Sequence, residues 1–395
     1  MTDEWKQKTI GELCEKVTSG GTPFRGNASY YINGIIPWIK TGELHDGKIY
    51  ETDIEERITE DALNNSSAKL FPKDTILMAM YGDGKTIGSL GIIQQPSTSN
   101  QACSALIANS EICLPKFLFY SLIVWRDGLI RLAYGGAQRN LTSKLIQQYE
   151  IPVPSLDIQK KIAAILSMYD DLIENNLKQI RLLEEMAQIT YQEWFVRLKF
   201  PNHENTPIDE TTGLPIGWHF GKVIDLIELQ RGFDLPIQDR EQGSIPIIAS
   251  TGTVGFHSSH KVQGSGVVTG RSGTIGQVMF VDSDFFPLNT TLWVKRYKSC
   301  KPIFVKHFLD SLNLESLCGG AAIPSLDRKA VHIQKTVIPP AKLMNDFDVY
   351  AASHYEAMKV LRSQNQLLKE ARDILLPRLM TGKINVGTDL SVHEL

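Results

Sequence analysis

Trp5-Lys6-Gln7-Lys8-Thr9-Ile10-Gly11-Glu12-Leu13 is answered later in the chain by Trp218-His219-Phe220-Gly221-Lys222-Val223-Ile224-Asp225-Leu226, with the same interval from Trp to Leu. Further pairs follow in the same order. Ile36-Pro37-Trp38-Ile39 matches Ile245-Pro246-Ile247-Ile248, and Thr86-Ile87-Gly88 matches Thr274-Ile275-Gly276. Gly135-Gly136-Ala137 matches Gly319-Gly320-Ala321, and Ile151-Pro152-Val153-Pro154 matches Ile338-Pro339-Pro340. Each series closes on a long helical pattern. A unit of roughly half the chain is far longer than a solenoid repeat of about 20–50 residues. The duplication implies two similar domains, and with them two similar ligands or two halves of one ligand.

Residues 1–156 are short apolar or alternating runs, such as Thr75-Ile76-Leu77-Met78-Ala79-Met80, broken by Gly, Pro and Asn. They predict strands and turns. One helix is expected from Pro115 to Ala133, stopped by Gly135-Gly136. Residues 157–200 differ. Ile158, Ile162, Ile165, Tyr169 and Leu172 keep helical steps, and after Asn175-Asn176 the stripe moves to Leu177, Ile180, Leu183, Ala187, Ile189 and Phe195. No Pro or Gly interrupts Asp157 to Lys199, so a helix of roughly 64 Å is expected. The shift at Asn175-Asn176 reads as a stutter or as a polar core layer. A polar linker (201–217) leads to a second domain (218–340) and a second long helix (341–380), with Leu343, Phe347, Tyr350, His354, Ala357, Leu361, Leu368 and Leu375 as its stripe. The last residues, 381–395, read as a tail that is loose from Val386.

Two apolar stripes of matching length are each unstable alone in water. Burying one against the other makes a coiled coil. An antiparallel pair is expected, because the roughly 17-residue linker spans a full helix only when stretched to about 55–60 Å. The fold class is therefore α/β (α+β), with two domains separated by two long antiparallel helices and related by a pseudo-two-fold axis. The repeats are unequal. The first exceeds the second by about 20 residues between Trp38 and Thr86, around the run from Glu43 to Asp61, where eight acidic residues stand against Lys48 and Arg57.

Composition is that of an ordinary globular protein, at 42% hydrophobic and 22% charged. The net charge of −3 gives no global nucleic-acid signal, although residues 217–340 hold 13 Lys and Arg against 10 Asp and Glu. The first residues lack the basic-then-apolar plan of a signal peptide, and no apolar run approaches the ~20 residues of a membrane span. Five cysteines without a CxxC pair point to a reducing cytoplasm.

No catalytic constellation emerges. Loops of the type that bind S-adenosylmethionine or ATP are missing, as are HExxH and GxSxG. Gly82-Asp83-Gly84-Lys85-Thr86 contains Gly-Lys-Thr without the upstream glycine of a phosphate loop. Candidates for binding are better. Met80-Tyr81-Gly82-Asp83-Gly84-Lys85 and Thr269-Gly270-Arg271-Ser272-Gly273 occupy matching places, and their glycines allow close backbone approach. Tyr81, Lys85 and Arg271 are then candidates for DNA, as is Lys40 after the Ile36–Ile39 run; the plain alternative is a hairpin with a solvated cation. Asn100-Gln101 and Asn289-Thr290 also match in place. Amides pair bidentately with adenine, though such residues also bond their own backbone in turns. Gln138, Arg139 and Asn140 follow the domain helix, and Arg328 follows its counterpart, with Thr142 or Ser325 starting a turn. Arg231 opposite Gly20-Gly21-Thr22-Pro23 is a weaker candidate. Asp170-Asp171 and Glu184-Glu185 read as solvated helix faces.

The order of domain, long helix, domain, long helix resembles the DNA-specificity subunit of type I restriction-modification enzymes. Ile151-Pro152-Val153-Pro154 feeding Asp157-Ile158-Gln159-Lys160-Lys161-Ile162-Ala163 carries the resemblance, with Leu214-Pro215-Ile216-Gly217-Trp218 at the second domain's entry and Met380-Thr381-Gly382-Lys383-Ile384 at the close. Lys342-Leu343-Met344-Asn345-Asp346 departs from the family's usual Glu-Gln or Asp-Gln helix start. The resemblance implies two target recognition domains, each reading part of a split, asymmetric site on double-stranded DNA. It implies helices that act as a ruler and dock two methyltransferase subunits, which bind S-adenosylmethionine and flip the target adenine. Restriction subunits that use ATP and Mg join in some systems. No cofactor, metal, catalytic residue or membrane contact is expected of this chain itself. The competing reading is a coiled-coil scaffold for proteins, without DNA binding.

Overall fold

The computed structural model describes residues 5–82, 86–133, 140–318 and 324–386. They form two compact units, residues 1–175 with 364–395 and residues 176–363, so that each long helix contributes to both.

In the first unit, β1 (Lys6–Thr9) leads through the single turn α1 (Ile10–Leu13) into β2 (Cys14–Ser19). Thr9 caps α1 in a capping box with Glu12. Then come β3 (Ile36–Ile39), β4 (Gly47–Ile49), β5 (Arg57–Ile58) and α2 (Glu60–Asn64). The strands β6 (Ile76–Ala79), β7 (Leu90–Ile93), β8 (Thr98–Ser99) and β9 (Cys103–Ala108) follow, and then α3 (Pro115–Arg131), α4 (Ser143–Gln148) and β10 (Glu150–Val153). A five-stranded mixed sheet runs β2-β9-β6-β7-β4, and a smaller one runs β5-β3-β8. All four residues of β6 are buried, as a strand covered on both faces requires. α3 packs Phe117, Leu118 and Leu122 into the larger core. Its expected stop at Gly135-Gly136 lies outside the described residues.

The second unit repeats this plan. After α5 (Leu156–Tyr191), β11 (His219–Lys222) and α6 (Val223–Leu226) come β12 (Ile227–Arg231), β13 (Ile245–Ala249), β14 (Gly252–His257) and β15 (Gly266–Gly270). They are followed by β16 (Val278–Val281), β17 (Phe286–Pro287), β18 (Thr291–Tyr297), α7 (Pro302–Ser311), α8 (Arg328–His332) and β19 (Lys335–Ile338). The sheets are β12-β18-β15-β16 and β14-β13-β17. In both units the entry strand pairs antiparallel with the exit strand, Lys6 opposite Val153 and His219 opposite Ile338. Ile338 therefore corresponds to Val153, two residues along from the match suggested by the motifs.

The excess in the first repeat is accounted for by β4 and α2. β4 joins the larger sheet parallel to β7. The acidic run around it is largely spent on its own fold. The Glu43 carboxylate accepts the backbone N–H groups of Lys40 and Glu55 at 2.6 and 2.9 Å. Asp46 pairs with Arg126 of α3 at 2.6 Å, while Lys48 bridges Asp171 and Glu174 of α5. Asp171 is thus a partner rather than only a solvated face.

The last element is α9 (Ala341–Met380). In the first unit Arg372 pairs with Asp170, and the buried Asn365 amide donates to the Ile173 carbonyl. In the second unit Tyr350 meets Thr190, and Phe347 meets Trp194 and Phe195. Partners descend along α9 as they ascend along α5, so the helical segments pair antiparallel inside each unit. The seam differs from the apolar stripe. On α5, Leu166, Ile173, Ile180 and Ala187 are buried at a strict seven-residue spacing, with Ile162, Tyr169, Asn176 and Leu183 as the second row. The heptad passes Asn176 without a stutter, so of the two readings the polar layer is correct. Leu172, Leu177 and Ile189, expected in the stripe, are exposed. Val386, expected to be loose, is 1% exposed, and its carbonyl accepts from Lys161.

Candidate nucleic-acid interface

At one end of each domain's sheets the same chain segments are drawn together by the same backbone hydrogen bonds. In the first domain, Gly20 N–H donates to Cys103 and Gly21 N–H to Ser99, at 3.0 and 2.8 Å. Asn100 N–H donates to Ile39, and Met80 N–H to Ala102. Leu141 N–H closes the set on the Met80 carbonyl at 2.7 Å. A Cβ at Gly20 would lie 2.3 Å from the Asn100 carbonyl oxygen, so the approach demands glycine. In the second domain the donors are Gly232 to Thr291, Phe233 to Pro287, Leu288 to Ile248, Arg271 to Thr290 and Leu326 to Arg271, at 2.8–3.1 Å. A Cβ at Gly232 would meet the Leu288 oxygen at 2.2 Å.

These bonds set the correspondence between the repeats. Gln101, not Asn100, stands where Asn289 stands. Arg271 stands at the place of Met80 rather than opposite Lys85. The caps match as Thr142 and Asp327, which accept from Leu145 N–H and Lys329 N–H, so Asp327 rather than Ser325 starts the second turn. Repeats matched by motif slip by a residue wherever loops differ in length; the hydrogen bonds do not.

Most of the sequence candidates converge here, in two separate sets. In the first domain, Lys40 is held by Glu55 and Glu56 at 2.8 and 3.2 Å, and the first of these carboxylates chiefly raises its pKa. Tyr81, at the loop after β6, is 38% exposed. The Asn100 side chain turns back to accept from Ala102 N–H, which is the turn role. Gln101 is exposed and its oxygen accepts the Thr22 hydroxyl. Asn140 is exposed beside Leu141. In the second domain, Arg231 ends β12 with its guanidinium 4.0 Å from Asp234, and Asn289 donates its amide to the same carboxylate. The Thr290 hydroxyl accepts from Ser250 N–H at 3.3 Å, and Arg271 leaves β15 half-buried. Arg328 is exposed as the first residue of α8. Lys85, Gln138 and Arg139 lie outside the described residues.

Residues 2–185 match the family described as the type I restriction modification DNA specificity domain. The MjaIX specificity subunit of Methanocaldococcus jannaschii is 28% identical over 97% of this chain and 94% of its own length. The EcoR124I/EcoR124II specificity subunit of Escherichia coli is 31% identical over 48% of this chain and 46% of its own. Residues 2–185 carry that domain, and along nearly its whole length the chain resembles a specificity subunit of type I restriction-modification systems. The fold agrees: an S subunit of such a system from M. genitalium superposes with a TM-score of 0.59 over 96% of both chains, at 16% identity. A specificity subunit is the non-catalytic, DNA-reading part of a type I enzyme. Among the described residues no helix is long and apolar enough to cross a membrane.

Three side chains near this interface escape a reading of the sequence. Arg25 lies over the rings of Tyr31 and Trp38, 4.6 and 4.5 Å from their centroids, and pairs with Glu56 at 2.6 Å. That pair lowers the Glu56 pKa and raises that of Arg25. Thr22 and Asp234 hold the two equivalent amides. The signal available was the loop Gly20-Gly21-Thr22 and its counterpart Gly232-Phe233-Asp234, whose partners lie 55 to 79 residues away.

Proposed function

We propose that the chain reads a split, asymmetric site on double-stranded DNA, one half with each recognition domain. The observation that carries this reading is a shared frame with unlike contents: one set of backbone bonds presents Thr22, Gln101 and Met80 in one domain, and Asp234, Asn289 and Arg271 in the other. Different polar groups at equivalent places suit unlike half-sites, because base edges are told apart by donor and acceptor pattern. Lys40, Tyr81, Gln101 and Asn140 on one side, and Arg231, Arg271, Asn289, Thr290 and Arg328 on the other, supply the contacts, together with Lys85, Gln138 and Arg139.

The helices serve in this reading as ruler and dock for two methyltransferase subunits. Support comes from apolar side chains left outside the seam, Leu182, Met186 and Ile189 in the second unit and Met168 and Leu172 in the first, each between 46 and 58% exposed. S-adenosylmethionine belongs to those partners, and ATP and Mg to restriction subunits where they join. The complex acts in the cytoplasm. Sequencing methylated bases in a host with and without the gene, the methyltransferase being present, should reveal adenine methylation at one bipartite motif. An unchanged methylome overturns the proposal.

The second reading, a protein scaffold, draws on the pairing of Lys40 and Arg231 with carboxylates. A gel shift decides between the two, since DNA affinity must fall steeply with salt.

A further inference from the structure

The two equivalent amides are held by opposite atoms. Gln101 is anchored through its oxygen, which accepts from Thr22. Asn289 is anchored through its nitrogen, which donates to Asp234. Thr22 and Asp234 are themselves equivalent, each two residues beyond the matched glycines Gly20 and Gly232. A carboxylate only accepts, so Asp234 fixes which way the Asn289 amide points. When the N–H that points away from the carbonyl is the one given to Asp234, the other N–H and the carbonyl of Asn289 share a single edge. That edge, donor beside acceptor, complements N7 and N6 of adenine in the major groove. The Asn289 backbone is fixed as well, its N–H donating to Phe233 at 2.8 Å.

The charge of Asp234 is otherwise out of place. A carboxylate with its side chain 73% exposed on a DNA-reading loop repels phosphate. Arg231 at 4.0 Å offsets it and leaves the orienting role. Gln101, tethered by its oxygen, offers its N–H donors instead, so the two domains hold their amides by opposite atoms at one structural position.

We propose that Asp234 is a positioning residue, which sets the amide of Asn289 to read an adenine in the half-site of the second recognition domain. The assignment rests on the DNA-reading function proposed above. The test uses the complex of this chain with its methyltransferase partner, and duplexes of the methylated motif in which each adenine in turn is replaced by 7-deazaadenine, which pairs normally but lacks the N7 acceptor. One adenine of one half-site should show an affinity loss of about tenfold. Asn289→Ala, or Asn289→Ser where alanine impairs folding, should abolish that loss. Asp234→Ala should shrink it severalfold, while Asp234→Asn, whose carbonyl still accepts from Asn289, should preserve it. A purely structural or charge role for Asp234 would make those two variants behave alike, and that result overturns the assignment. So does a motif with no sensitive adenine, or a sensitivity that persists in the Asn289 variants. A complex that binds no split motif overturns the parent reading, and this one with it.

Discussion

Asp348 is 5% exposed on α9, and its carboxylate accepts the Phe304 N–H at the start of α7 at 3.1 Å. Burial pushes its pKa up from 3.8 to about 6 against the pull of those backbone N–H groups. A raised pKa means that the protonated form is favoured in the fold. The resulting stability is present below about pH 4 and is lost as pH rises through about 6. Asp348→Asn keeps the acceptor and removes the charge. It should stabilise the second unit by about 2–3 kcal/mol at pH 7, and by almost nothing at pH 4. Urea unfolding at the two pH values checks this; an equal effect at both would contradict it. Single residues were legible where partners are near in sequence, as with Thr142, which caps the turn it precedes. Asn100 was legible as an amide at a turn, but its neighbour Gln101 proved to hold the equivalent position. Asp234 and Arg25 were not legible, because their roles depend on residues brought close only by the sheets.

The long helices show why a seam is harder to read than a helix. Start signals placed α5 and α9 well, since Pro152 and Pro154 bar an earlier start of the first; its end, expected at Lys199, falls at Tyr191, where a single π turn, Gln192–Val196, takes over. The phase was harder, because α5 carries apolar residues on two faces and periodicity does not say which one meets α9. Leu172, Leu177 and Ile189 therefore entered the stripe, while Leu166 and Ile173 hold the core. The polar residues of the seam are the clearer marker. Asn176 and Asn365 are 8% and 5% exposed, each within its own unit. A buried asparagine in a heptad specifies register at a cost in stability. Replacing both by leucine should raise unfolding stability by roughly 1–2 kcal/mol, read as a higher urea midpoint at unchanged slope. A lower midpoint would show that the amides stabilise rather than specify.

At the scale of the whole chain, each unit carries a core of its own. The first gathers Ile10 to Leu166 with Leu376 to Val386, and the second Ala187 to Ala351, with no buried residue in common among those described. Changes that share no partner add independently, so the duplication visible in the sequence is also a division of labour. What the motifs alone did not show is the anchoring of the first domain on its helix. Lys48 reaches Glu174 at 3.1 Å and Tyr120 reaches Asp170 at 2.5 Å, both inside the first unit. An exchange of residues 1–156 for the corresponding domain of another specificity subunit should therefore succeed only with a donor that keeps a cation and a hydroxyl for these carboxylates. With such a donor, one half of the methylated motif should change and the other should persist, since Gly232, Asp234, Arg271 and Asn289 and the bonds that hold them are untouched. Sequencing methylated bases in the host carrying the exchanged chain reads both halves at once. A motif altered in both halves would mean that the two domains do not read independently, whatever the separateness of their cores.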